Sequence, residues 1–435
     1  MRKYYQAALA VTAVVSLVSL LIYRHEYNRL RYVLEVFNYF GKPWPRRTEN
    51  CSNFYRPFAA LDAKFDEPIP SWQRLEDDLY VYSAYSINDM EVRAVGLGTV
   101  NGVANVQCLV FFENEGKPIL GSFRFIPIGS AITSKKAGKY KGYHFVCTHT
   151  SNETPTGVTF VTKSNKYLNY APIFPIKVQP RSGKNSQNRI GMCVMQEAST
   201  RPMRPLDMVG FISFHALGRM DNFIVYDSGI SNEFNVKLRE MAGDFTSPWR
   251  FTYTVVPWNF PFTELDPSVI REILEVDCLY RTHNNVGYAV TLAWNEYVIL
   301  KYHRAMIDLL ADFKRSKLAA DRYRLKTAVF CTQQADDRRH GNLTLTVLRK
   351  TKSDDASVVG EYPVYVHKPH VTLLNTRMYT REIGRDLAVM NRYKYCDNYK
   401  DGQGTEDPSI LRFAQDIQNS SILRKYLGLY DIDIK

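Results

Sequence analysis

One carboxylate lies where an open α/β sheet places its ligand. Residues 223–226, Phe-Ile-Val-Tyr, form a strand-like run that leads directly into Asp227. Ligands of such sheets bind beyond the carboxyl ends of the strands, because loops and helix N-termini meet there with free N–H groups. In that position Asp227 would accept hydrogen bonds from the ribose or the base of a nucleotide. The alternative is that Asp227 only turns the chain.

The elements around Asp227 alternate between strand and helix patterns. Residues 190–195 form a short apolar run, and a helical pattern from Met208 to Ala216 ends at Gly218. A strand at 222–226, a helix at 232–241 and a strand at 250–256 follow. This order predicts a parallel α/β sheet. Between residues 79 and 178, short runs rich in Val, Tyr, Phe and Thr predict a preceding β-rich region.

Length and composition are those of a folded protein of two or three domains. The chain has 435 residues, of which 45% are apolar, 23% charged and 13% aromatic, so disordered and collagen-like classes are excluded. Lys and Arg exceed Asp and Glu by 56 to 44, which gives a net charge of +12. Such a charge suits a partner that carries phosphate, sulfate or carboxylate groups.

The first residues predict a membrane anchor. Residues 7–23 read AALAVTAVVSLVSLLIY without a charge, between Arg2 and Lys3 on one side and Arg24 on the other. This run is at the short end of what spans a bilayer as a helix. The alternative is a cleaved signal peptide, but the run is longer than usual for one and leads into IYRHEY rather than a small-residue cleavage site. We therefore expect an uncleaved signal anchor.

Sequons and cysteines favour a lumenal body behind this anchor. Four N-x-[ST] sequons lie C-terminal to it and make candidate glycosylation sites of Asn50, Asn152, Asn342 and Asn419. Seven cysteines are spread through the chain without C-x-x-C pairs or zinc-finger spacing. In an oxidising compartment they allow up to three disulfides and leave one thiol over, in pairs that the spacing does not define. Together these features argue against a nucleic-acid partner.

Three segments in this order resemble glycosyltransferase family 92, a family of galactosyltransferase-like type II membrane proteins. YSAY at 82–85 with VRAV at 92–95 is similar to the entry segment of that family, and FISFHALGRMDNFIVYDSGIS at 211–231 to its helix, Gly, strand and Y-D/N-x-S element. DCLYR at 277–281 resembles its D-C-L-x-R. The resemblance implies a GT-A-type nucleotide-sugar-binding fold, a UDP-sugar donor, usually UDP-galactose, and a divalent cation such as Mn²⁺.

The chain departs from the pattern at the metal site. Where the family has D-x-D-E-[FY], this chain has Ala293, Trp294, Asn295, Glu296 and Tyr297. Two carboxylates at a strand end let a hard cation bridge a diphosphate, and Ala293 offers no ligand atom. Asn295 and Glu296 would make a weakened metal site. The alternative is an ordinary strand-to-helix junction at which both residues cap the helix.

A second departure lies near the C-terminus. The family commonly shows H-Y-R close to a cysteine, and this chain has Arg392, Tyr393 and Lys394 shortly before Cys396. Arg392 and Lys394 would bind a diphosphate as cations and offset a lost metal charge, with Tyr393 positioning them. The alternative is that both are solvated surface charges.

The sequence thus predicts an α/β chain in which a β-rich region precedes a GT-A-like parallel or mixed sheet, behind an N-terminal transmembrane helix. The expected protein is a single-pass type II Golgi membrane protein that moves a hexose from a UDP-sugar, with inversion, to a glycan acceptor on a glycoprotein or glycolipid. The alternative is a catalytically inactive protein that binds a glycan or a partner. No catalytic base is identified. The expected parts are a cytoplasmic tail (1–6), an anchor (7–23), a stem (24–70), a β-rich lumenal region (71–185) and a glycosyltransferase domain (186–435).

Overall fold

The computed structural model forms two units, Met1–Arg56 and Pro57–Lys435. The residues that it describes are 16, 18–19, 71–76, 78–114, 117–129, 138–162, 171–177, 188–196, 203–243, 251–262, 265–337, 339, 345–354, 362–374, 378–397 and 404–428. In the first unit these are Ser16, Val18 and Ser19, which are helical and exposed. All elements below belong to the second unit.

The predicted anchor and stem lie largely outside the described residues. Of residues 7–23, only Ser16, Val18 and Ser19 are described. Among the described residues, no helix is both long enough and apolar enough to cross a membrane. This finding corrects the predicted transmembrane helix and the predicted single-pass type II location in the Golgi membrane.

The first half of the second unit is built from eight strands and one short helix. The strands are β1 (Gln73–Glu76), β2 (Leu79–Asn88), β3 (Glu91–Gly98), β4 (Val106–Phe112), β5 (Ile119–Pro127), β6 (Lys141–Thr148), β7 (Pro155–Thr162) and β8 (Phe174–Lys177), and α1 (Val100–Ala104) lies between β3 and β4. Alternation along β4 shows why it is a strand, because Val106, Cys108, Val110 and Phe112 are buried while the residues between them are half-buried.

These strands close into a barrel. The pairing order is β1-β2-β3-β6-β5-β4-β7-β8, and β8 returns to pair with β2, so seven strands form a closed ring with β1 added outside it. The closing contact is parallel, with Ala84 opposite Ile176, whereas the other pairs are antiparallel. The Cys108–Cys147 disulfide crosses the barrel interior against Gly121 of β5. A Cβ atom at Gly121 would overlap both sulfur atoms, so this position requires glycine.

The second half of the unit is a larger sheet with helices. Its strands are β9 (Ile190–Met195), β10 (Asn222–Asp227), β11 (Thr252–Pro257), β12 (Tyr288–Ala293), β13 (Glu296–Leu300), β14 (Arg322–Cys331), β15 (Lys352–Ser353), β16 (Val364–His367), β17 (Thr380–Glu382), β18 (Ala388–Lys394) and β19 (Thr405–Glu406). Its helices are α2 (Pro205–Leu217), α3 (Asn232–Ala242), α4 (Pro267–Thr282), α5 (Met306–Arg315), α6 (Thr346–Arg349), α7 (Pro369–Leu374), α8 (Ala414–Gln418) and α9 (Ser421–Tyr426), with a 3-10 helix at Pro408–Phe413.

The predicted alternation of strand and helix is confirmed locally. Strands β9, β10 and β11 and helices α2 and α3 occupy the predicted segments, and Gly218 ends α2. The strands β11, β10, β9 and β12 pair in parallel in that order.

The predicted fold class, α/β with a GT-A-like parallel or mixed sheet, is nevertheless wrong. Beyond β12 the sheet becomes antiparallel through β16 to β14 and then curls. The curl arises in β14, whose first residues, 322–325, pair with β16 while its last residues, 326–331, pair with β18. A closed barrel and a curled mixed sheet make the described chain mainly β. Such long-range pairings are not visible in local sequence periodicity.

Helix α4 packs the second sheet against the barrel. Its buried residues include Ile273, Leu274 and Cys278, and they share one apolar cluster with Tyr82 and Tyr85 of β2. Strand β2 therefore buries side chains on both faces, which explains its nearly unbroken apolar and aromatic sequence. Two further disulfides, Cys193–Cys278 and Cys331–Cys396, lie within the second sheet and its helices. The expectation of up to three disulfides is confirmed, and Cys51 lies outside the described residues.

Candidate functional site

A cavity of about 770 Å³ opens at the carboxyl ends of four strands of the second sheet. It lies where β9, β12, β14 and β18 end and where α2 begins. Its wall contains two of the predicted diphosphate-binding residues, Tyr393 and Lys394, and the predicted metal ligand Asn295. The remaining polar and aromatic lining residues are Gln196, Arg204, Asp207, Trp294, Tyr297, Thr332, Thr346, Arg349, Lys350, Tyr395 and Asp397.

One wall of the cavity depends on Asp207, which is 3% exposed. Its Oδ1 accepts a hydrogen bond of 2.8 Å from the backbone N–H of Thr346, and its Oδ2 accepts one of 2.7 Å from Nε of Arg204. The carboxylate therefore joins the first turn of α2 to the first turn of α6. Its hydrogen-bonding capacity is used in holding that wall, and we assign it a structural role.

Asn295 joins the turn after β12 to strand β18. Its Nδ2 donates a hydrogen bond of 3.0 Å to the carbonyl of Tyr393, whose N–H donates one of 2.9 Å to the carbonyl of Asn295. Trp294 and Asn295 connect two strands, so the alternative of a strand-to-helix junction is wrong. The ring of Tyr393 stacks on Phe330 with a centroid distance of 4.9 Å. These contacts fix the cavity floor.

Glu296 and Arg392 lie behind that floor, bonded to each other. Glu296 is fully buried, and its carboxylate accepts hydrogen bonds from Arg271 at 2.8 and 2.9 Å and from Nε of Arg392 at 2.8 Å. Burial would raise the pKa of Glu296, but the two guanidinium groups lower it to about 2. The predicted metal-ligand role of Glu296 and the predicted diphosphate-binding role of Arg392 are corrected, since both groups are used in this ion pair.

Asp227 lies at the predicted strand end, but its oxygens bind the chain itself. Its Oδ1 accepts hydrogen bonds from the N–H groups of Gly229 and Ile230, and its Oδ2 accepts one of 2.9 Å from Asn235 of α3. Asp227 does not line the cavity. Gly229 has a φ of +133°, a conformation that favours glycine. The alternative of a turn-forming role is the one that the geometry favours, which corrects the predicted contact with a nucleotide.

Among the described residues, four cationic side chains and two carboxylates line the cavity. Lys394 is half-buried at the end of β18, and Arg204 lies at the start of α2. Arg349 and Lys350 follow each other at the end of α6, where both pair with Asp336. With Asp336 included, four cationic side chains stand against three carboxylates among the described residues, and this small positive excess, together with the N-terminus of α2, favours an anion in the cavity.

The donor set of the cavity does not fit a divalent cation. Ala293 has no ligand atom, Glu296 is paired with two arginines, and Asp207 is bonded to Thr346 and Arg204. Among the described lining residues, Asp397 remains as a single exposed carboxylate, whereas Mn²⁺ or Mg²⁺ needs several oxygen ligands. A separate cluster of Cys331, Cys396 and Asp354 has metal-like spacing, but its two sulfur atoms form a disulfide.

Several lining residues were not identified from the sequence. Trp294 lies in the turn between β12 and β13, at the middle position of the family's D-x-D motif. Its Nε1 is buried without a hydrogen-bond partner among the described residues. Tyr395, 63% exposed, and Asp397 follow Lys394 directly. Arg349 and Lys350 come to the cavity only through the folding of α6, and no local pattern marks them.

The motif residues behind the family resemblance meet elsewhere, in a buried network around Asp277. The carboxylate accepts hydrogen bonds from Ser83, from Tyr85 at 2.7 Å, from Tyr226 at 2.5 Å and from Arg281 at 2.9 Å. Burial would raise the pKa of Asp277, but Arg281 and the hydroxyl donors lower it. The network joins the barrel, β10 and α4, so these residues stabilise the fold rather than line the cavity.

Two of the four predicted glycosylation sites are described. Asn152 follows β6 in a loop, Asn419 ends α8, and both are exposed. Asn50 and Asn342 lie outside the described residues.

Comparisons with known proteins assign no family to the chain. No protein-family model and no curated protein matches the sequence. A crystal structure of UDP-glucose pyrophosphorylase complexed with UDP-glucose is similar at a TM-score of 0.21 and 8% identity, over 55% of this chain and 100% of that chain. A cyclomaltodextrinase is similar at a TM-score of 0.18 and 10% identity, over 56% of this chain and 45% of that chain. Both TM-scores are too low to support a conclusion about fold or function.

Proposed function

We propose that the cavity binds a UDP-sugar and that the chain transfers the hexose of this donor to a glycan hydroxyl without a divalent cation. The observation that carries the proposal is the 770 Å³ cavity at the strand ends, whose described lining combines four cationic side chains with the exposed ring of Tyr395 and the half-buried amide of Gln196. A nucleoside diphosphate sugar presents this combination of chemistry, since it has a diphosphate, an aromatic base and a hydroxyl-rich ring. The family resemblance at 82–95, 211–231 and 277–281 supports the same donor class.

The diphosphate would bind among Lys394, Arg204, Arg349 and Lys350. Charge-assisted hydrogen bonds to phosphate oxygens are about twice as strong as neutral ones, and cations at a leaving diphosphate stabilise the charge that develops there. Asp336 neutralises part of the charge on Arg349 and Lys350. Lys394 lies half-buried at the end of β18, and its replacement is the direct test of this assignment. Tyr395, which is 63% exposed, offers its ring to the base or the sugar.

Transfer with inversion needs one carboxylate as a general base. In this scheme Asp397 accepts the proton of the acceptor hydroxyl while that oxygen bonds to the anomeric carbon. The bond from the anomeric carbon to the diphosphate oxygen breaks, and UDP leaves with both electrons. Asp397 is suited to this role because it is exposed and lines the cavity, whereas Asp207 is buried and fully engaged.

Binding is tested by calorimetry with UDP and with uridine, which has no phosphate. Lys394→Ala should weaken UDP binding about tenfold and leave uridine binding nearly unchanged, since one charge-assisted hydrogen bond contributes about 1.5 kcal/mol or more. Lys314 is exposed on α5 and lines neither cavity, so Lys314→Ala is the matched control and should change neither affinity. Arg392→Ala should instead destabilise the protein, because Glu296 keeps only Arg271 as a cationic partner and the loss of the buried Arg392 side chain leaves a cavity. Equal losses for UDP and uridine with Lys394→Ala would contradict the phosphate assignment.

Transfer is tested with a panel of UDP-sugars, UDP-galactose first, in the presence of EDTA and of Mn²⁺. We expect turnover with EDTA, and a loss of at least a hundredfold in kcat for Asp397→Asn with little change in UDP affinity. UDP binding without turnover would favour the second candidate, a non-catalytic glycan- or partner-binding protein. That candidate is supported by Glu296, whose carboxylate is held in a structural ion pair.

A further inference from the structure

A second cavity of about 620 Å³ lies beside α8, at the C-terminal end of α2. The first cavity lies at the N-terminal end of the same helix. The second cavity is bounded by the C-terminal end of α2, by the end of β13 and by the 3-10 helix. Its floor is apolar and is formed by Phe214, Leu217, Met220, Val298, Leu300 and Phe413. The ring of Phe413 packs edge-on against Phe214 with a centroid distance of 5.3 Å. We call this cavity the α8 groove.

The rim of the α8 groove combines an exposed aromatic ring with polar groups. Tyr302 is 78% exposed, the largest exposure among the large apolar and aromatic side chains of the described residues. Arg304 and Arg412 lie on the same rim, and the Arg412 guanidinium stacks over the Phe413 ring at 4.5 Å. An apolar floor with a ring and fork-shaped donors at its edge suits the C–H face and the hydroxyl groups of a sugar.

An attachment point for a sugar lies on that rim. Asn419 is exposed, lines the α8 groove, and begins the sequon Asn419-Ser420-Ser421. Its backbone N–H closes α8 by donating to Gln415, so the position of the side chain at the groove is fixed by the helix end. Three disulfides indicate folding in an oxidising compartment, which is where N-linked glycans are added.

We propose that Asn419 carries an N-linked glycan whose first two N-acetylglucosamine residues lie in the α8 groove, against Tyr302 and Phe413. In the modification, Nδ2 of Asn419 bonds to the anomeric carbon of a lipid-linked oligosaccharide diphosphate. The bond to the diphosphate oxygen breaks, the lipid diphosphate leaves with the electron pair, and one amide proton is lost to a base of the transferring enzyme. The attached sugars then cover the exposed ring of Tyr302 and the half-buried side chains of Leu217 and Phe413.

A glycan on Asn419 is the expected occupant of the α8 groove because its attachment point lies on the rim of that groove. A glycan on Asn419 is tethered at the rim, so its effective concentration at the groove exceeds that of a free ligand. The sequon at Asn152 is the natural contrast, because that residue lies in the loop after β6 and lines neither cavity. A glycan there should project into water without affecting stability.

The test is a double-mutant cycle on the full chain expressed in eukaryotic cells. Mass spectrometry of glycopeptides first establishes whether Asn419 is modified, and Ser421→Thr, which keeps the sequon, should keep the modification. Tyr302→Ala should then lower Tm by about 2 °C in the glycosylated protein and by nothing measurable in the Asn419→Gln background. The reason is that an exposed ring contributes stability only when something packs on it.

The matched control is Asn152→Gln, in which Tyr302→Ala should retain its full effect. Trimming the glycan to its first sugar should keep part of the stabilisation, while Asn419→Gln should raise the fluorescence of a dye that binds apolar surface. An unmodified Asn419, or an equal Tm change for Tyr302→Ala in both backgrounds, would overturn the proposal. Self-association of the glycosylated protein that Tyr302→Ala abolishes would also overturn it, because a second copy would then occupy the groove.

Discussion

At the scale of single residues, Glu296 holds a negative charge between two buried guanidinium groups. Its pKa is about 2 in the folded protein, against an ordinary value of 4.5. A lowered folded-state pKa contributes stability that is present above pH 4.5 and is lost as the pH falls from there towards 2. The difference corresponds to about 3 kcal/mol.

Glu296→Gln should therefore lower the free energy of unfolding at pH 7 by about 3–5 kcal/mol, because Arg271 and Arg392 lose their anionic partner inside the protein. The loss should shrink as the pH falls from 5 to 2.5, because the Glu296 carboxylate of the unfolded wild-type chain takes up a proton below its ordinary pKa of 4.5 while that of the folded protein stays largely ionised. Urea unfolding at pH 7, 5 and 3 measures it. Glu382→Gln is the control, since its pair with Lys326 is about half exposed and should be worth less than about 1 kcal/mol. A pH-independent difference would contradict the ion-pair account.

At the scale of elements, the Asp277 network fastens strand β2 of the barrel to α4 and β10. Asp277→Asn should destabilise the protein by about 3–5 kcal/mol, because Arg281 stays buried without its counter-charge. Ser83→Ala, which removes one hydroxyl donor, should cost only about 1 kcal/mol. Hydrogen exchange resolved by peptide should show faster exchange in β2 than in β4 for Asp277→Asn. Uniform acceleration over the barrel would mean that the network does not fasten β2 in particular.

The elements also show how far the sequence alone could predict this molecule. Strand β9 occupies the predicted residues, and α2 ends at the predicted Gly218, because apolar spacing and a terminal glycine are local signals. The return of β8 to β2 and the division of β14 between two partners depend on contacts far apart in sequence, which periodicity does not encode. The same limit applied to the site. Tyr393, Lys394 and Asn295, which came from two separate motifs, line one cavity, but the pairing of Glu296 with Arg392, from the neighbouring strand β18, could not be inferred.

At the scale of the whole molecule, each disulfide closes a loop within one half of the second unit. Cys108–Cys147 spans 39 residues of the barrel, while Cys193–Cys278 and Cys331–Cys396 span 85 and 65 residues of the second sheet and its helices. Closing loops of these lengths removes about 4 kcal/mol of chain entropy each from the unfolded state. The free energy of unfolding should thus depend on all three disulfides, whereas UDP binding should depend on Cys331–Cys396.

The Cys331–Cys396 disulfide joins the ends of β14 and β18, from which Thr332, Lys394 and Asp397 reach the cavity. Replacing both cysteines with serine should lower the stability by about 4 kcal/mol and weaken UDP binding severalfold, because the two strand ends lose their covalent link beside the ligand. The matched variant, serine at Cys108 and Cys147, should cost a similar stability and leave UDP affinity unchanged at a temperature where both proteins are folded. Urea unfolding and calorimetry on the two variants separate these effects. If the barrel variant weakened UDP binding as much as the cavity variant, the loss would reflect general destabilisation, and the cavity at the ends of β14 and β18 would not be the UDP site.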